Sequence, residues 1–375
     1  MGGREVEITW HGHRAVAWVP DRLADLRLDL TVDVARRTER AAAAVHHVGD
    51  RLPSGWEPLA RLLLRAEGIA SSNIEGLRAP VAAVAAAELD DKAVSVGAAE
   101  VADNLAVVAD ALDAARATRR LTVKELHAWQ RRLLHHGTLP DDLVGRFRDR
   151  QGWIGGRGPQ DASYVPPPAD LVPALVQDLV AFVNRDDIDA VTHAAIAHAQ
   201  FETIHPYGDG NGRVGRLLVL WVLARRLEVT VPPPTSVLIA RDAGGYLSGL
   251  HWFRTGDIDR WVGWFAGVVE SGGQAALEWA DDVDALMQGW RARVDDLRAD
   301  AAARKIIELL PAHPVVSSAL VARELGVSDT AARAALDVLG SRGILEPYRV
   351  EEQRPGRPRR WWLARGVADL VGGWA

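Results

Sequence analysis

The sequence predicts a mainly α-helical protein whose core carries a β-hairpin flap and whose C-terminus is a winged-helix (α+β) domain. Helical periodicity recurs along most of the chain, as in the alanine-rich stretches at 81–91 and 100–117. Glycine and proline clusters interrupt this periodicity at 143–168, which indicates a loop that contains a hairpin. Residues 304–375 change the pattern again, to helix, turn, helix and two short strands.

Composition narrows the class of protein. A chain of 375 residues favours two or three domains, and 48% hydrophobic with 25% charged residues is typical of a globular protein. The net charge of −6 argues against a nucleic-acid binder over the whole surface, and the absence of cysteine excludes disulfides and thiolate metal sites. The N-terminus has no apolar secretion-signal region, and no apolar run of about 18 residues could span a bilayer. We therefore expect a cytoplasmic protein without membrane partners.

Local patterns divide the chain into four predicted parts. Apolar and polar residues alternate around His11-Gly12-His13, which predicts a hairpin, and Gly76 marks the end of a later helix. Trp252, Trp261 and Trp264 lie in the last core helices, and we expect them to be exposed. The parts are the N-terminal hairpin (1–20), a helical region that includes the helix 58–76 (21–120), a helical core with a flap at 145–168 (121–300) and the winged helix (304–375).

The C-terminal unit is the basis of a DNA-binding hypothesis. Residues 304–369 carry 11 basic and eight acidic residues, so this unit is positive while the rest of the chain is negative. Apart from Arg333, the expected recognition helix has few side chains that could contact base edges, and Asp329 and Asp337 lie nearby. The positive charge lies mainly in the wing at 354–360. Protein docking or a contact between domains explains this pattern at least as well as DNA binding.

Residues 205–216, HPYGDGNGRVGR, lie between two helical patterns, and packing does not explain their four glycines. The segment contains G-x-G-x-x-G, but it follows an alanine-rich helix and not a buried strand, so a dinucleotide site is excluded. A Walker loop is excluded because no G-K-[ST] is present. Gly208, Gly210 and Gly212 allow backbone N–H groups to approach an anion at the N-terminus of the following helix.

The charged side chains of this segment suit a polyphosphate. Arg213 and Arg216 oppose the helix macrodipole at its N-terminus, which is unfavourable unless an anion is bound there. Asp209 would repel phosphate unless a hard cation such as Mg²⁺ lies between them. His205 has the pKa range of a general base. The residues therefore predict a phosphate-binding loop beside a base.

The same segment resembles the signature of the Fic family, HPFx(D/E)GNGRxxR, with Tyr207 in place of phenylalanine. FRDRQGWIG and SYVPPP resemble the family's target-docking flap, and HAQFETIHP resembles the helix that leads into the signature. The stretch Ser71–Gly76 resembles the inhibitory motif (S/T)xxxE(G/N). The resemblance covers residues 60–265 and implies a Fic-type helical core. The Tyr207 hydroxyl, which phenylalanine lacks, needs a hydrogen-bond partner in that core.

Most Fic proteins transfer AMP from ATP to a hydroxyl side chain of a target protein. The resemblance therefore implies an ATP- and Mg²⁺-dependent protein adenylyltransferase that acts on Ser, Thr or Tyr of an unknown protein and on itself. By this resemblance His205 would deprotonate the hydroxyl, and Asp209 would hold Mg²⁺. Asn211 would orient the α-phosphate, and both arginines would bind the β- and γ-phosphates. The implied nucleotide-binding residues are Glu75, Asp209, Gly210, Asn211, Gly212, Arg213, Arg216 and, beside the adenine, Tyr246; a core position explains Tyr246 equally well.

Glu75 breaks a local rule, because a carboxylate at the end of helix 58–76 faces the negative end of its macrodipole, at a cost of a few tenths to about 1 kcal/mol. Solvated glutamates at helix ends are nevertheless common. The resemblance implies instead that Glu75 pairs with Arg216, blocks the γ-phosphate position and autoinhibits the enzyme. Two alternatives stay open: a DNA-binding regulator with a nucleotide-sensing core, and a hydrolase that removes AMP with Glu75 positioning water.

Overall fold

A computed structural model describes residues 2–51, 57–117, 120–137, 139–349 and 360–375. It confirms the mainly helical class. The elements are β1 (Gly3–Trp10), β2 (His13–Pro20), α1 (Val32–Arg51), α2 (Glu57–Ile74), α3 (Val81–Ala87), α4 (Val96–Arg116), α5 (Val123–Leu133), α6 (Val172–Val183), α7 (Ala190–Ile204), α8 (Asn211–Leu227), α9 (Thr235–Arg241), α10 (Ala243–Arg254), α11 (Ile258–Ala292), α12 (Ala302–Leu309), β3 (Val315–Ser317), α13 (Ser318–Leu325), α14 (Asp329–Ser341), β4 (Glu346–Tyr348), β5 (Trp361–Leu363) and α15 (Arg365–Trp374). Among the described helices, none combines the length and apolarity that a membrane crossing requires.

Helices α7 and α8 form the centre of the core. Every residue of α7 is buried, and α8 is buried along nearly its whole length, so neither helix has the polar face of a surface helix. Asp189 caps the start of α7 by accepting a hydrogen bond from the Thr192 backbone N–H. Because α1, α6, α10 and α11 pack around this pair, the short loop that joins α7 to α8 is held between two rigid helices.

The N-terminal hairpin packs against the flap. Strands β1 and β2 pair antiparallel from Gly3↔Pro20 to Trp10↔His13. The flap itself is less regular than predicted: within 145–168 one antiparallel bridge, Ile154↔Tyr164, is present in place of extended strands. Three consecutive prolines at 166–168 cannot donate to a ladder, which explains why pairing stops there. The Trp18 backbone N–H donates to the Val165 carbonyl at 2.9 Å and so joins hairpin and flap.

The C-terminal unit has winged-helix topology, with α12 to α14 packed beside a sheet of order β3-β5-β4. Strand β3 and helix α15 are not in the predicted pattern, because three residues are too few to show periodicity and α15 follows a strand directly. The two strands that the sequence predicts on either side of the basic loop correspond to β4, within 344–349, and β5, at the end of PGRPRRWWLA; Val350 lies outside the described residues. Most of the basic wing, residues 354–359, lies outside the described residues.

The winged helix does not stand apart from the helices that precede it. One hydrophobic cluster contains residues of α2, α11 and the C-terminal unit together. Trp374 of α15 stacks on Trp279 of α11 with ring centroids 4.6 Å apart, and Arg65 of α2 donates to the Ala312 carbonyl at 3.2 Å. The predicted boundary near residue 304 therefore crosses a packed interface.

The expectation of exposed tryptophans is wrong for Trp261. Its side chain is fully buried, and its Nε1–H donates to the Ala195 carbonyl at 2.9 Å. Trp252 and Trp264 are partly buried. The reason is that α11 packs against the buried α7, so tryptophans on that side of α11 belong to the core.

Candidate active site

The loop from His205 to Gly210 is held in an unusual backbone conformation. His205 ends α7 in the left-handed region, with φ 48° and ψ 63°, and Gly210 begins α8 with φ 79°. Left-handed geometry disfavours a residue with a Cβ, so the surrounding structure must enforce it at His205. The Asn211 side chain contributes, because its amide accepts from the Tyr207 N–H at 2.8 Å and donates to the Tyr207 carbonyl at 2.9 Å.

Tyr207 anchors this loop in the core. Its side chain is 1% exposed and packs against Phe147 and Phe201. The hydroxyl lies 3.2 Å from His127 Nδ1, which is the hydrogen-bond partner that the sequence requires for a tyrosine at this position. The substitution of tyrosine for phenylalanine is therefore accommodated away from the charged residues of the loop.

His205 is suited to accept a proton. Its Nδ1 is buried, whereas the side chain as a whole is 23% exposed. Burial, together with the positive charge of Arg148 nearby, lowers the pKa of His205 from its ordinary value to about 4. The imidazole is therefore neutral at pH 7 and retains a lone pair for a proton.

Glu75 and Arg216 are 141 positions apart in sequence and form an ion pair. Arg216 is 1% exposed, and its Nη2 donates to Glu75 Oε1 and to the Ser71 carbonyl, both at 2.8 Å. Its Nε donates to the Ser71 hydroxyl at 3.0 Å. The Glu75 side chain is 36% exposed. One guanidinium nitrogen contacts one carboxylate oxygen, so the pair is not bidentate.

The Glu75 carboxylate also covers the start of α8. A Cβ placed on Gly212 would collide with Glu75 Oε1 and would lie 2.8 Å from Arg216 Nη1. Gly212 is in the first turn of α8, where unpaired backbone N–H groups and the helix dipole favour a negative charge. A carboxylate therefore occupies the position at which this helix would bind an anion.

Comparison with known proteins identifies this region. The Fic/DOC family model matches residues 120–223, which include the flap, α7, the loop and most of α8. These residues form a Fic/DOC domain. A second family model, an HTH DNA-binding domain, matches residues 304–346.

Relatives of the Fic domain are found among adenylyltransferases. A probable protein adenylyltransferase of Aquifex aeolicus is 46% identical over 63 residues, 16% of this chain and 20% of that protein. The protein adenylyltransferase Fic of Drosophila melanogaster is 31% identical over 153 residues, 40% of this chain and 28% of that protein. The matches thus span less than a third of the length of these curated relatives.

Solved structures show that the fold is that of Fic proteins. A Fic family protein from Desulfovibrio desulfuricans superposes with a TM-score of 0.56 at 21% identity, over 90% of this chain and 97% of the other. A Fic domain containing signaling protein from Bacteroides thetaiotaomicron gives 0.54 at 19% identity, over 64% of this chain and 97% of the other.

The structure places the remaining predicted site residues in different surroundings. Arg213 is buried and donates to the Leu133 carbonyl at 3.3 Å, so it is directed toward α5, whereas Arg216 contacts α2. Asp209 is exposed on the loop, and its Oδ1 accepts from the Gly210 N–H at 2.6 Å. Tyr246 is buried with its hydroxyl 3.0 Å from His198 Nε2, which favours the core alternative that the sequence left open.

Arg148 is a buried residue at the start of the flap whose contacts with the His205 turn the sequence did not reveal. It is 7% exposed, its Nε donates to the His205 carbonyl at 2.9 Å and its Nη2 donates to the Pro167 carbonyl at 2.5 Å. Its own backbone N–H donates to the Pro206 carbonyl at 2.9 Å. Arg148 therefore ties both ends of the flap to the left-handed turn at His205. Its motif, FRDR, carries no local signal for these contacts.

Proposed function

We propose that this protein transfers AMP from ATP to a hydroxyl side chain of a protein and that Glu75 restrains this activity. The supporting observation is the juxtaposition of a neutral histidine, His205, with a helix N-terminus whose anion position is filled by the protein's own carboxylate. The adenylyltransferase relatives of the Fic domain support the same reaction class.

The reaction needs a base and a binding site for the leaving group. His205 takes the proton of the target hydroxyl, whose oxygen attacks the α-phosphorus of ATP. A P–O bond forms to that oxygen, the P–O bond to the β-phosphate breaks, and pyrophosphate leaves. Backbone N–H groups of the first turn of α8, with Arg216, stabilise the negative charge of the phosphates as it moves toward pyrophosphate.

The contacts of two predicted nucleotide ligands, Asn211 and Arg213, bear on the roles that we propose for them. Asn211 already uses both amide atoms on Tyr207, so we assign it to shaping the loop, and the loop amides then contact the α-phosphate. Arg213 donates weakly to the Leu133 carbonyl, at 3.3 Å, and its buried Nε has no partner among the described residues. It therefore retains donors for a phosphate oxygen. Tyr246 as an adenine contact stays a prediction.

The loop suits a cation that arrives with the nucleotide. The described residues contain no group of three or more His, Cys, Asp or Glu side chains that could hold a metal ion. Mg²⁺ usually binds one or two carboxylates together with substrate phosphates, and the exposed Asp209 can supply one. We propose that Asp209 would hold Mg²⁺, which supplies neutralisation of phosphate charge when it is bound.

Glu75 would restrain the enzyme in two ways at once. Its carboxylate fills the position over Gly212 that a phosphate needs, and it engages Arg216, which a γ-phosphate also needs. Because the buried Arg216 is also held by Ser71, it stays in place when Glu75 moves. Displacement of Glu75 therefore exposes a ready-made anion site.

DNA binding by the winged helix is a second candidate, which the HTH match at 304–346 favours. The described basic residues beside α14 are engaged with acids: Arg333 pairs with Asp329 at 2.9 Å, and Arg360 pairs with Asp337 at 3.3 Å. This pairing weakens the positive surface that phosphates require. If DNA is nevertheless bound, its affinity must fall steeply with salt.

Intact-mass spectrometry tests the proposal and its alternatives. The full chain and Glu75→Gly are incubated with Mg²⁺ and, in separate reactions, ATP, GTP, CTP and UTP. The proposal predicts a gain of one or more AMP units with ATP, larger in Glu75→Gly. Loss of AMP from pre-modified protein, without gain from ATP, would instead support the hydrolase. If no nucleotide changes the mass, and the protein binds a DNA duplex with an affinity that falls steeply with salt, the result would support the regulator.

A further inference from the structure

Glu202 is a buried carboxyl group next to His205 that neither the Fic signature nor the reaction above uses. It lies in the last turn of α7, three residues before His205, and its side chain is 9% exposed. Its Oε2 is 4.0 Å from His205 Nδ1. Helical spacing therefore brings a carboxyl group to the buried face of the imidazole.

Each of the two side chains has a buried polar atom with unused hydrogen-bonding capacity. Within the described part of the chain, neither His205 Nδ1 nor Glu202 Oε1 has a hydrogen-bond partner, although both atoms are buried. Buried polar atoms are nearly always paired, so each unpaired atom calls for an explanation. A small rotation of either side chain would shorten the 4.0 Å separation to a hydrogen bond, and catalytic hydrogen bonds are often long before substrate binds.

The opposite helix leaves room for the carboxyl group. A Cβ on Gly215 of α8 would collide with Glu202 Oε1 and would lie 3.1 Å from the Phe201 ring. Gly215 occupies one of the variable positions of the signature, and glycine inside a helix is otherwise destabilising. The absence of a side chain at this position is therefore explained by the carboxyl group of Glu202.

Burial keeps both Glu202 and His205 uncharged. Burial raises the pKa of Glu202 to about 8; the nearby Arg216 lowers it and the carboxylate of Glu75 raises it. The buried Tyr246 of α10 also faces Glu202. With His205 neutral as well, an uncharged carboxyl faces an uncharged imidazole at pH 7. Protonation of His205 would then favour the carboxylate form of Glu202.

We propose that Glu202 is a positioning residue for His205: a carboxyl oxygen accepts a hydrogen bond from Nδ1–H, which leaves Nε2 unprotonated toward the target hydroxyl. The same contact stabilises the imidazolium that forms when Nε2 takes the proton. A carboxyl on the far nitrogen of a catalytic histidine acts in this way when it fixes the tautomer and orientation of the ring. The inference rests on the proposed function, in which His205 is the base.

The tautomer of His205 is the direct readout, because it is measured without ATP or activity. Full-length protein labelled with ¹⁵N-histidine is compared with Glu202→Leu and Glu202→Gln, and the His205 signals are assigned by their loss in His205→Ala. We expect the Nδ1–H tautomer in the parent and in Glu202→Gln, whose amide oxygen still accepts. In Glu202→Leu we expect a mixture of tautomers.

Transfer and binding are measured on the same variants in a Glu75→Gly background. Glu202→Leu should lower the transfer rate by at least about tenfold, because the base loses the group that fixes its tautomer and stabilises the imidazolium. Its ATP affinity, measured by calorimetry, should stay within about twofold of the parent. Glu202→Gln should recover most of the rate. Thr203→Val is the matched control, because it removes a buried hydroxyl that donates to the Ala199 carbonyl one turn earlier on the same helix, and it should match the parent.

Gly215→Ala provides a second route if Glu202→Leu does not fold. It displaces the carboxyl group without changing Glu202, and it should reproduce the mixed tautomer and the slower transfer. An unchanged tautomer in Glu202→Leu and Gly215→Ala would overturn the inference. The Glu202 backbone carbonyl, which also favours protonated His205, would then be sufficient to fix the tautomer without the carboxyl group. If His205→Ala transfers as fast as its parent, the proposed function fails instead, whatever the tautomer.

Discussion

Replacement of Glu75 by glycine should activate the protein. The change removes the carboxylate from the first turn of α8 and frees the Nη2 of Arg216 for the γ-phosphate. It also relieves an unfavourable charge at the C-terminal end of α2, where Gly76 N–H donates to the Asn73 carbonyl and Leu77 N–H to the Ser72 carbonyl. The helix end is closed by these backbone bonds, so it should persist without Glu75.

The size of the effect follows from the geometry of the pair. A charge-assisted hydrogen bond contributes about 1.5–3 kcal/mol. The single contact and the 36% exposure of Glu75 place this one at the lower end, because solvent screens a partly exposed carboxylate. About 1.4 kcal/mol is a factor of ten, so we expect roughly tenfold faster transfer and tighter ATP binding. A bidentate pair would have predicted up to about a hundredfold.

The assay is intact mass against time with ATP and Mg²⁺, with ATP affinity from calorimetry. Arg216→Ala breaks the same pair but must slow transfer, because ATP needs this arginine. Glu228→Gly is the control, since it makes the same exchange at the exposed far end of α8, where the residue has φ 55°. Equal rates for the wild type and Glu75→Gly would refute autoinhibition, and so would activation by Arg216→Ala.

Three further predictions concern the anchor of the loop, the C-terminal interface and pH. Tyr207→Phe should leave the transfer rate unchanged and lower the free energy of unfolding by about 0.5–1.5 kcal/mol, because the hydrogen bond to His127 is lost. Chemical denaturation measures the change in the free energy of unfolding. A large loss of transfer would contradict the prediction. Trp374→Ala should destabilise the protein by about 3–5 kcal/mol, since the ring stacks on Trp279 inside the cluster shared with α2, and an unchanged melting temperature would show that this interface is not formed. The transfer rate of Glu75→Gly should stay level as pH falls from 7 toward 5, because the neutral form of a base with a pKa of about 4 persists there; a decline that begins near pH 6.5 would contradict the lowered pKa of His205.

Features formed by residues close together in sequence can be predicted from the sequence, whereas contacts between distant residues cannot. The loop 205–216 was recognisable because its glycines and charges are adjacent, and the hairpin 1–20 because alternation is a local pattern. The Glu75–Arg216 pair bridges 141 positions, and only family resemblance indicated it. The role of Arg148 is not visible in the sequence, because its guanidinium donates to backbone carbonyl groups that only the fold brings close to it. The burial of Trp261 is not predictable from local pattern, because the wholly buried α7 has no amphipathic stripe that would indicate which helices pack against it.

The central claim is that His205 is the base and that nucleotide binding depends on the loop and α8. The most direct measurement compares Glu75→Gly with Glu75→Gly/His205→Ala in calorimetry with ATP and in intact-mass kinetics. The account predicts ATP affinity within about twofold and transfer slower by ~10² to 10⁴, the usual contribution of a general base. Parallel loss of ATP binding and transfer, or undiminished transfer in the double variant, would contradict it.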